Sequence, residues 1–186
     1  MHVTPLEPEG LILIELALKT DDRGFFVERY QQALFRDHGL PSAFVQDNHS
    51  RSAPRVLRGL HYQFNPAQGK LVGVIRGSIW DVAVDIRKDS PTYRSSFGVE
   101  LSDRNGKMLW IPPGFAHGFC VLGEEPADVV YKVDQVYNQS GEGGIRWDDA
   151  DLAIAWPISN PKVSPRDQAL SSFAYYDAHQ PDWKFL

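Results

Sequence analysis

A chain of 186 residues, 42% hydrophobic and 23% charged, has a normal globular composition and a length suited to one domain over 1–186 with a substantial core. Its net charge of -5 argues against a non-specific nucleic-acid binder, which needs a basic face. One cysteine, Cys120, excludes an intrachain disulfide; the start, MHVTPLEPEG, is not a secretory signal; and the longest apolar run, Leu11–Leu18, is too short to cross a bilayer, so a cytoplasmic protein with no membrane partner is expected.

In chain order, Leu11–Leu18 reads as a buried strand, and Asp21-Asp22-Arg23-Gly24 as a turn leading into a strand over Phe25–Tyr30. Gln31–His38 has helical composition and stops at Gly39, a good C-terminal cap. Phe44–Ser50 is a strand with a polar second half. The stretch Arg55–Lys70 (RVLRGLHYQFNPAQGK) organises the rest: a strand carries His61 inward, a Pro/Gly loop follows, and Lys70 opens the next strand. Two-residue alternation puts Arg58 and His61 on opposite faces, and a bulge at Gly59 would bring them to one side.

Leu71–Arg76 and Ile79–Ile86 are predicted to form a hairpin around Gly77-Ser78, and Phe97–Ser102 and Lys107–Ile111 another around Asn105-Gly106. On Ile79–Ile86, Asp81 shares a face with Ile79 and Ala83. Pro112-Pro113-Gly114 turns the chain into Phe115–Leu122, where His117 sits with Phe115, Phe119 and Val121. Val129–Val136 places Tyr131 beside Val129 and Val133. A polar loop over Asn138–Gly144 follows, and the aromatic tail from about residue 168 is expected to pack on the body or on a second subunit. About ten short strands and one helix mean an all-β sandwich or barrel, not a βαβ sheet.

Several residues in this pattern carry chemistry. A histidine base and a lysine cation facing one cavity suit proton removal beside a carbonyl, and a tyrosine opposite the base returns a proton to the other face. Taken singly, a histidine such as His61 is more often a hydrogen-bonded core or surface residue, and Tyr131 more often an ordinary core tyrosine. His61-x-Gln63 with a later His117 is an incomplete metal site: Gln63 replaces a histidine, and Lys70 stands where a carboxylate would be, so no metal is expected. Arg23, Arg51, Arg55, Arg58, Lys70 and Arg166 are the cations available to an anionic ligand. Asp81 and Asp167 are the candidate carboxylate partners for a histidine, though spacing alone places neither beside His61.

RGFFVERY (23–30), FVQDNHS (44–50), VLRGLHYQ (56–63), QGKLVGVIRGSIWDVAVDIRKDSPTY (68–93), IPPGFAHGF (111–119), VVYKV (129–133) and GGIRWDDADLAIAWP (143–157) occur in the order and spacing of one family. From about Leu6 to Asp167 the chain resembles the dTDP-4-dehydrorhamnose 3,5-epimerases, cupin-type enzymes of dTDP-L-rhamnose biosynthesis. The resemblance implies an all-β, cupin-like jelly roll with a few short helices. It also implies a homodimer, no cofactor and no metal, and a dTDP-4-dehydro-6-deoxy-D-glucose substrate inverted at C3 and C5. Residue by residue, it implies His61 as general base paired with Asp167, Tyr131 as general acid, Lys70 near the ketone oxygen and Asp81 as a nearby acid. It implies substrate contacts from Gln46, Asp47, Asn48, Arg58, His117, Glu142 and Arg166, stacking of Tyr137 on thymine, and Arg23 and Glu28 reaching across from the partner subunit.

The chain departs from the family pattern twice. Val163-Ser164-Pro165-Arg166-Asp167 stands where the family has Leu-Ser-x-Lys-Asp, and the proline bears on where Asp167 lies. Between Tyr131 and Tyr137 the chain has Lys-Val-Asp-Gln-Val, which bears on product choice. The alternatives are an epimerase of C3 alone or C5 alone, a 3,4-ketoisomerase, or a non-catalytic jelly-roll sugar binder.

Overall fold

A computed structural model describes residues 1–185. Its elements are β1 (His2–Pro5), β2 (Ile12–Glu15), β3 (Lys19–Asp21), β4 (Gly24–Phe26), α1 (Gln32–Asp37), β5 (Gln46–Ser52), β6 (Val56–Gln63), β7 (Lys70–Arg76), β8 (Ser78–Asp85), β9 (Ser96–Ser102), β10 (Lys107–Ile111), β11 (Phe115–Leu122), β12 (Ala127–Val133), β13 (Glu142–Gly144), β14 (Lys162–Val163), α2 (Pro165–Gln168) and α3 (Phe173–Ala178). One sheet runs β1-β2-β10-β7-β12-β5 and the other β13-β6-β11-β8-β9, with β14 alongside β6. From β5 to β12 the chain passes from one sheet to the other at nearly every connection; only β8 and β9 are successive neighbours in one sheet. This is a jelly roll, as the resemblance implied.

The alternation corrects two expectations. Gly77-Ser78 does not join a hairpin: β7 and β8 lie in different sheets. Asn105-Gly106 likewise links β9 to β10 across the sandwich. The turn signals are real, since Gly77 and Gly106 have φ of 76° and 62°, and Asn105 Oδ1 accepts the amides of Ser102 and Lys107. A turn is local, however. Sheet membership is decided by which partner lets both faces of a strand bury their apolar side chains.

Three apolar layers result. Between the sheets lie Val72, Val74, Leu109 and Val129 against Ile79, Ala83, Phe115 and Phe119. The outer face of the β6-β11-β8 sheet (Leu60, Tyr62, Val82, Val84) is covered by the C-terminal segment through Phe173 and Tyr176, so the aromatic tail packs on the body of its own chain. The outer face of the other sheet is covered in part by Phe35 of α1 and by Leu40.

Two strand expectations shrink. The Leu11–Leu18 run is a strand only over Ile12–Glu15, and the Phe25–Tyr30 strand ends at Phe26. Beyond Phe26 the chain lies against the outer sheet face, where Arg29 donates to the Val74 carbonyl at 3.3 Å and Tyr30 to the Ser42 carbonyl at 2.7 Å. The β3–β4 hairpin pairs with neither sheet and leaves Phe25 and Phe26 58% and 65% exposed. Among the described residues, no helix is long and apolar enough to cross a membrane.

Candidate active site

The site begins at a defect in strand pairing. β6 and β11 pair with His61 opposite His117 and Arg58 opposite Phe119, a shift that opposes two β6 residues to one on β11. Gly59 sits at the shift with φ 109°; a Cβ there would lie 2.6 Å from the His117 carbonyl oxygen. Only glycine fits that backbone against its neighbour. The bulge resets the alternation, so Arg58 and His61 both face inward and line one cavity of about 300 Å³.

Asp167 comes to His61 from the far end of the chain. Its Oδ1 lies 2.7 Å from His61 Nε2, and its Oδ2 accepts the Gly59 amide at 3.2 Å. The departure at Pro165 does not displace it. Proline occupies the first turn of α2, where its missing N–H costs nothing, and Ser164 caps the helix by accepting the Asp167 amide at 3.0 Å. Burial would raise the Asp167 carboxyl, but the His61 hydrogen bond, the Gly59 amide and the nearby Arg166 outweigh it and hold it below the ordinary carboxylate range. A carboxylate only accepts, so His61 Nε2 carries the proton in that bond and Nδ1 is the nitrogen left to take one.

The opposite sheet supplies the other wall. Lys70 of β7 and Tyr131 of β12 line the same cavity as His61, with Ser50 and Val129 beside them. Burial pulls the Lys70 ammonium down to about 8, against the opposing pull of Glu142 and Asp81. Burial and then Glu142 push the Tyr131 phenol up, keeping it protonated at neutral pH. His117 completes the floor, its Nε2 2.7 Å from Oδ1 of the fully buried Asp81.

At the mouth stand Tyr137, Glu142 and Arg166. Glu142 Oε2 accepts from Tyr137 Oη at 2.9 Å and from Arg166 Nη2 at 2.5 Å. The loop that presents Tyr137 is pinned by Gln63, whose amide donates to the Val136 carbonyl and whose oxygen accepts the Asn138 amide; Gln46 accepts the Tyr137 amide. Gln63, which stands in place of a second histidine, is thus spent on backbone. His61 and His117 each give Nε2 to a carboxylate. Among the described residues, no group of three or more His, Cys, Asp or Glu side chains is placed to hold a metal ion.

Of the residues singled out in the sequence, His61, Lys70, Arg58, His117, Tyr131, Tyr137, Glu142 and Arg166 line the cavity, and Asp167 and Asp81 support it from behind. On β5, Gln46 and Asn48 are half-buried and hydrogen-bonded to each other at 2.9 Å. Asp47 points to the outer face and pairs with Lys132 at 2.9 Å. With Glu28 it lines a separate groove of about 520 Å³ there, while Arg23 is exposed in the β3–β4 turn, bonded to Asp21. Within one chain these three do not join the cluster. Ser50 and Phe119 line the cavity without having been named as site residues; the signal for Phe119 was its two-residue spacing from His117.

The dTDP-4-dehydrorhamnose 3,5-epimerase family model matches residues 5–175. The dTDP-4-dehydrorhamnose 3,5-epimerase of Shigella flexneri is 50% identical over 169 residues, which are 90% of this chain and 93% of that one. The crystal structure of the Legionella pneumophila dTDP-6-deoxy-D-glucose-3,5-epimerase, in complex with dTDP-4-keto-L-rhamnose, superposes with a TM-score of 0.90 at 44% identity, covering 96% of this chain and 95% of that one. A 4-keto-6-deoxy sugar epimerase from the novobiocin biosynthetic gene cluster of Streptomyces spheroides gives a TM-score of 0.92 at 33% identity, covering 100% of this chain and 93% of that one.

Proposed function

The chain belongs to the dTDP-4-dehydrorhamnose 3,5-epimerase family, and from that premise we propose that it inverts C3 and C5 of dTDP-4-dehydro-6-deoxy-D-glucose to give dTDP-4-dehydro-L-rhamnose. It is an isomerase of dTDP-L-rhamnose biosynthesis. The observation that carries the mechanism is the convergence of an Asp-oriented histidine from one sheet and a phenol from the other on a single cavity. The C4 ketone acidifies the hydrogens on C3 and C5. His61 Nδ1 takes one of them, and the electron pair moves onto the C4 oxygen to form an enolate. Asp167 holds the imidazole and stabilises it as it gains charge. Lys70 meets the developing negative oxygen with its ammonium. Tyr131 delivers a proton to the opposite face, the enolate collapses back to the ketone, and the carbon is inverted. Electrons neither leave nor enter the substrate, so the reaction needs no redox cofactor.

The diphosphate is read as lying at the rim among Arg58 and Arg166, which gathers positive charge locally in an acidic protein. Thymine is read as stacking on Tyr137. Arg23 and Glu28 lie apart from the cavity of their own chain, and the exposed Phe25 and Phe26 beside them support a homodimer in which this arm serves the partner's site. We read the chain as one jelly-roll unit working in the cytoplasm, in keeping with its single, buried cysteine.

Product NMR in deuterated water tests the reaction. Deuterium should enter C3 and C5 with inversion at both. His61→Ala should abolish exchange at both carbons while dTDP affinity changes little; near wild-type incorporation by that variant would sink the assignment. A second reading, inversion at one carbon only, is favoured by the Lys-Val-Asp-Gln-Val segment before Tyr137, and deuterium confined to C3 or to C5 would establish it.

A further inference from the structure

The cavity holds one carboxylate for which the proton-transfer scheme has no use. Glu142 opens β13, opposite Gln63 in register, and its side chain is 13% exposed. It touches two members of the nucleotide rim, Tyr137 and Arg166, and it lines the same cavity as Lys70 and Tyr131. Arg166 is 60% exposed, and its guanidinium donates to Glu142. The cation best placed to swing toward a phosphate is therefore the one that screens this carboxylate.

We propose that Glu142 couples nucleotide binding to proton transfer: a diphosphate that draws Arg166 away unscreens the Glu142 carboxylate, whose field then holds Lys70 and Tyr131 in their protonated, working forms. The inference rests on the reading above that the ligand is a diphosphate-linked keto sugar. A fixed charge acts more strongly on its neighbours once its counter-ion has gone. The sign is the useful one at both groups. Negative charge from Glu142 favours the ammonium of Lys70, which burial disfavours, and favours the phenol of Tyr131. The other charges in play are Asp81, which acts on Lys70 in the same sense, Arg58, which opposes Glu142 at Tyr131, and Tyr137, which acts with Glu142 there; His61 and His117 line the same cavity. Glu142 is a positioning residue in this scheme, acting through groups that touch the sugar.

Two variants test it. Glu142→Gln keeps an acceptor for Tyr137 and removes the charge. Its kcat, measured with saturating dTDP-4-dehydro-6-deoxy-D-glucose, should lose activity at lower pH than the wild type: several-fold at about pH 9 and little at about pH 6.5. Its dTDP affinity by calorimetry should rise several-fold, because Arg166 no longer has a carboxylate to leave. Arg166→Gln leaves the carboxylate permanently unscreened. It should bind dTDP roughly tenfold or more weakly, yet its kcat/KM should persist to higher pH than that of the wild type. A kcat lowered by one constant factor at every pH in Glu142→Gln, or an unmoved alkaline limb in Arg166→Gln, would overturn the coupling and leave the epimerase reading standing. Absence of solvent exchange by the wild-type protein would overturn that reading, and the coupling with it.

Discussion

A lysine whose ammonium burial has pulled down to about 8 sets a limit on the reaction. Below that pH Lys70 is charged and can meet the enolate oxygen; above it the charge is lost. The kcat/KM profile should therefore fall as pH rises through about 8. Lys70→Arg, whose guanidinium stays charged throughout, should lose that limb even where its absolute rate is lower, and Lys70→Met should be slow at every pH. Tyr131 makes a different prediction. Without the phenol, His61 can still remove a proton and return it to the same face. Tyr131→Phe should thus exchange deuterium with retention of configuration, a result that product NMR separates from simple inactivity. Asp167→Asn keeps the shape and loses the tautomer control, so kcat should fall by about 10²-fold or more with dTDP binding preserved.

Among the elements, the β6–β11 bulge matters most. A Cβ on Gly59 would press on the His117 carbonyl and on the Cα of Gly118, at a φ of 109° that L-residues resist. Gly59→Ala should lower stability by about 2–3 kcal/mol in denaturant unfolding and should also misalign His61, so activity falls further than stability explains. The C-terminal cover is the second case. Phe173 and Tyr176 bury the outer face of the strand that carries His61, and Phe173→Ala should cost about 3–5 kcal/mol, read as a lower denaturation midpoint. The strand candidates around His61, His117 and Tyr131 and the helix ending at Gly39 were legible because apolar period and caps are local. The ends of Leu11–Leu18 and Phe25–Tyr30 were not, because there the chain leaves a ladder to lie across a sheet face.

For the molecule as a whole, the proposed dimer has a sharp test. If Arg23 serves the partner's site, Arg23→Ala and His61→Asn chains, each nearly inactive alone, should recover activity on mixing and re-association, since one of the two hybrid sites then has both residues intact. No recovery in a verified heterodimer would place Arg23 outside the partner's site. The sequence by itself determined the all-β class, the residues able to move protons, and through family resemblance the order of the motifs that carry them, because composition, period and spacing are written along the chain. It could not determine that β7 and β8 part company at Gly77, that Pro165 leaves Asp167 in place against His61, or that Asp47 turns outward while Tyr131 turns in. Those outcomes belong to the tertiary structure, because which sheet a strand joins, and which carboxylate meets which imidazole, depend on burying both faces of every strand at once.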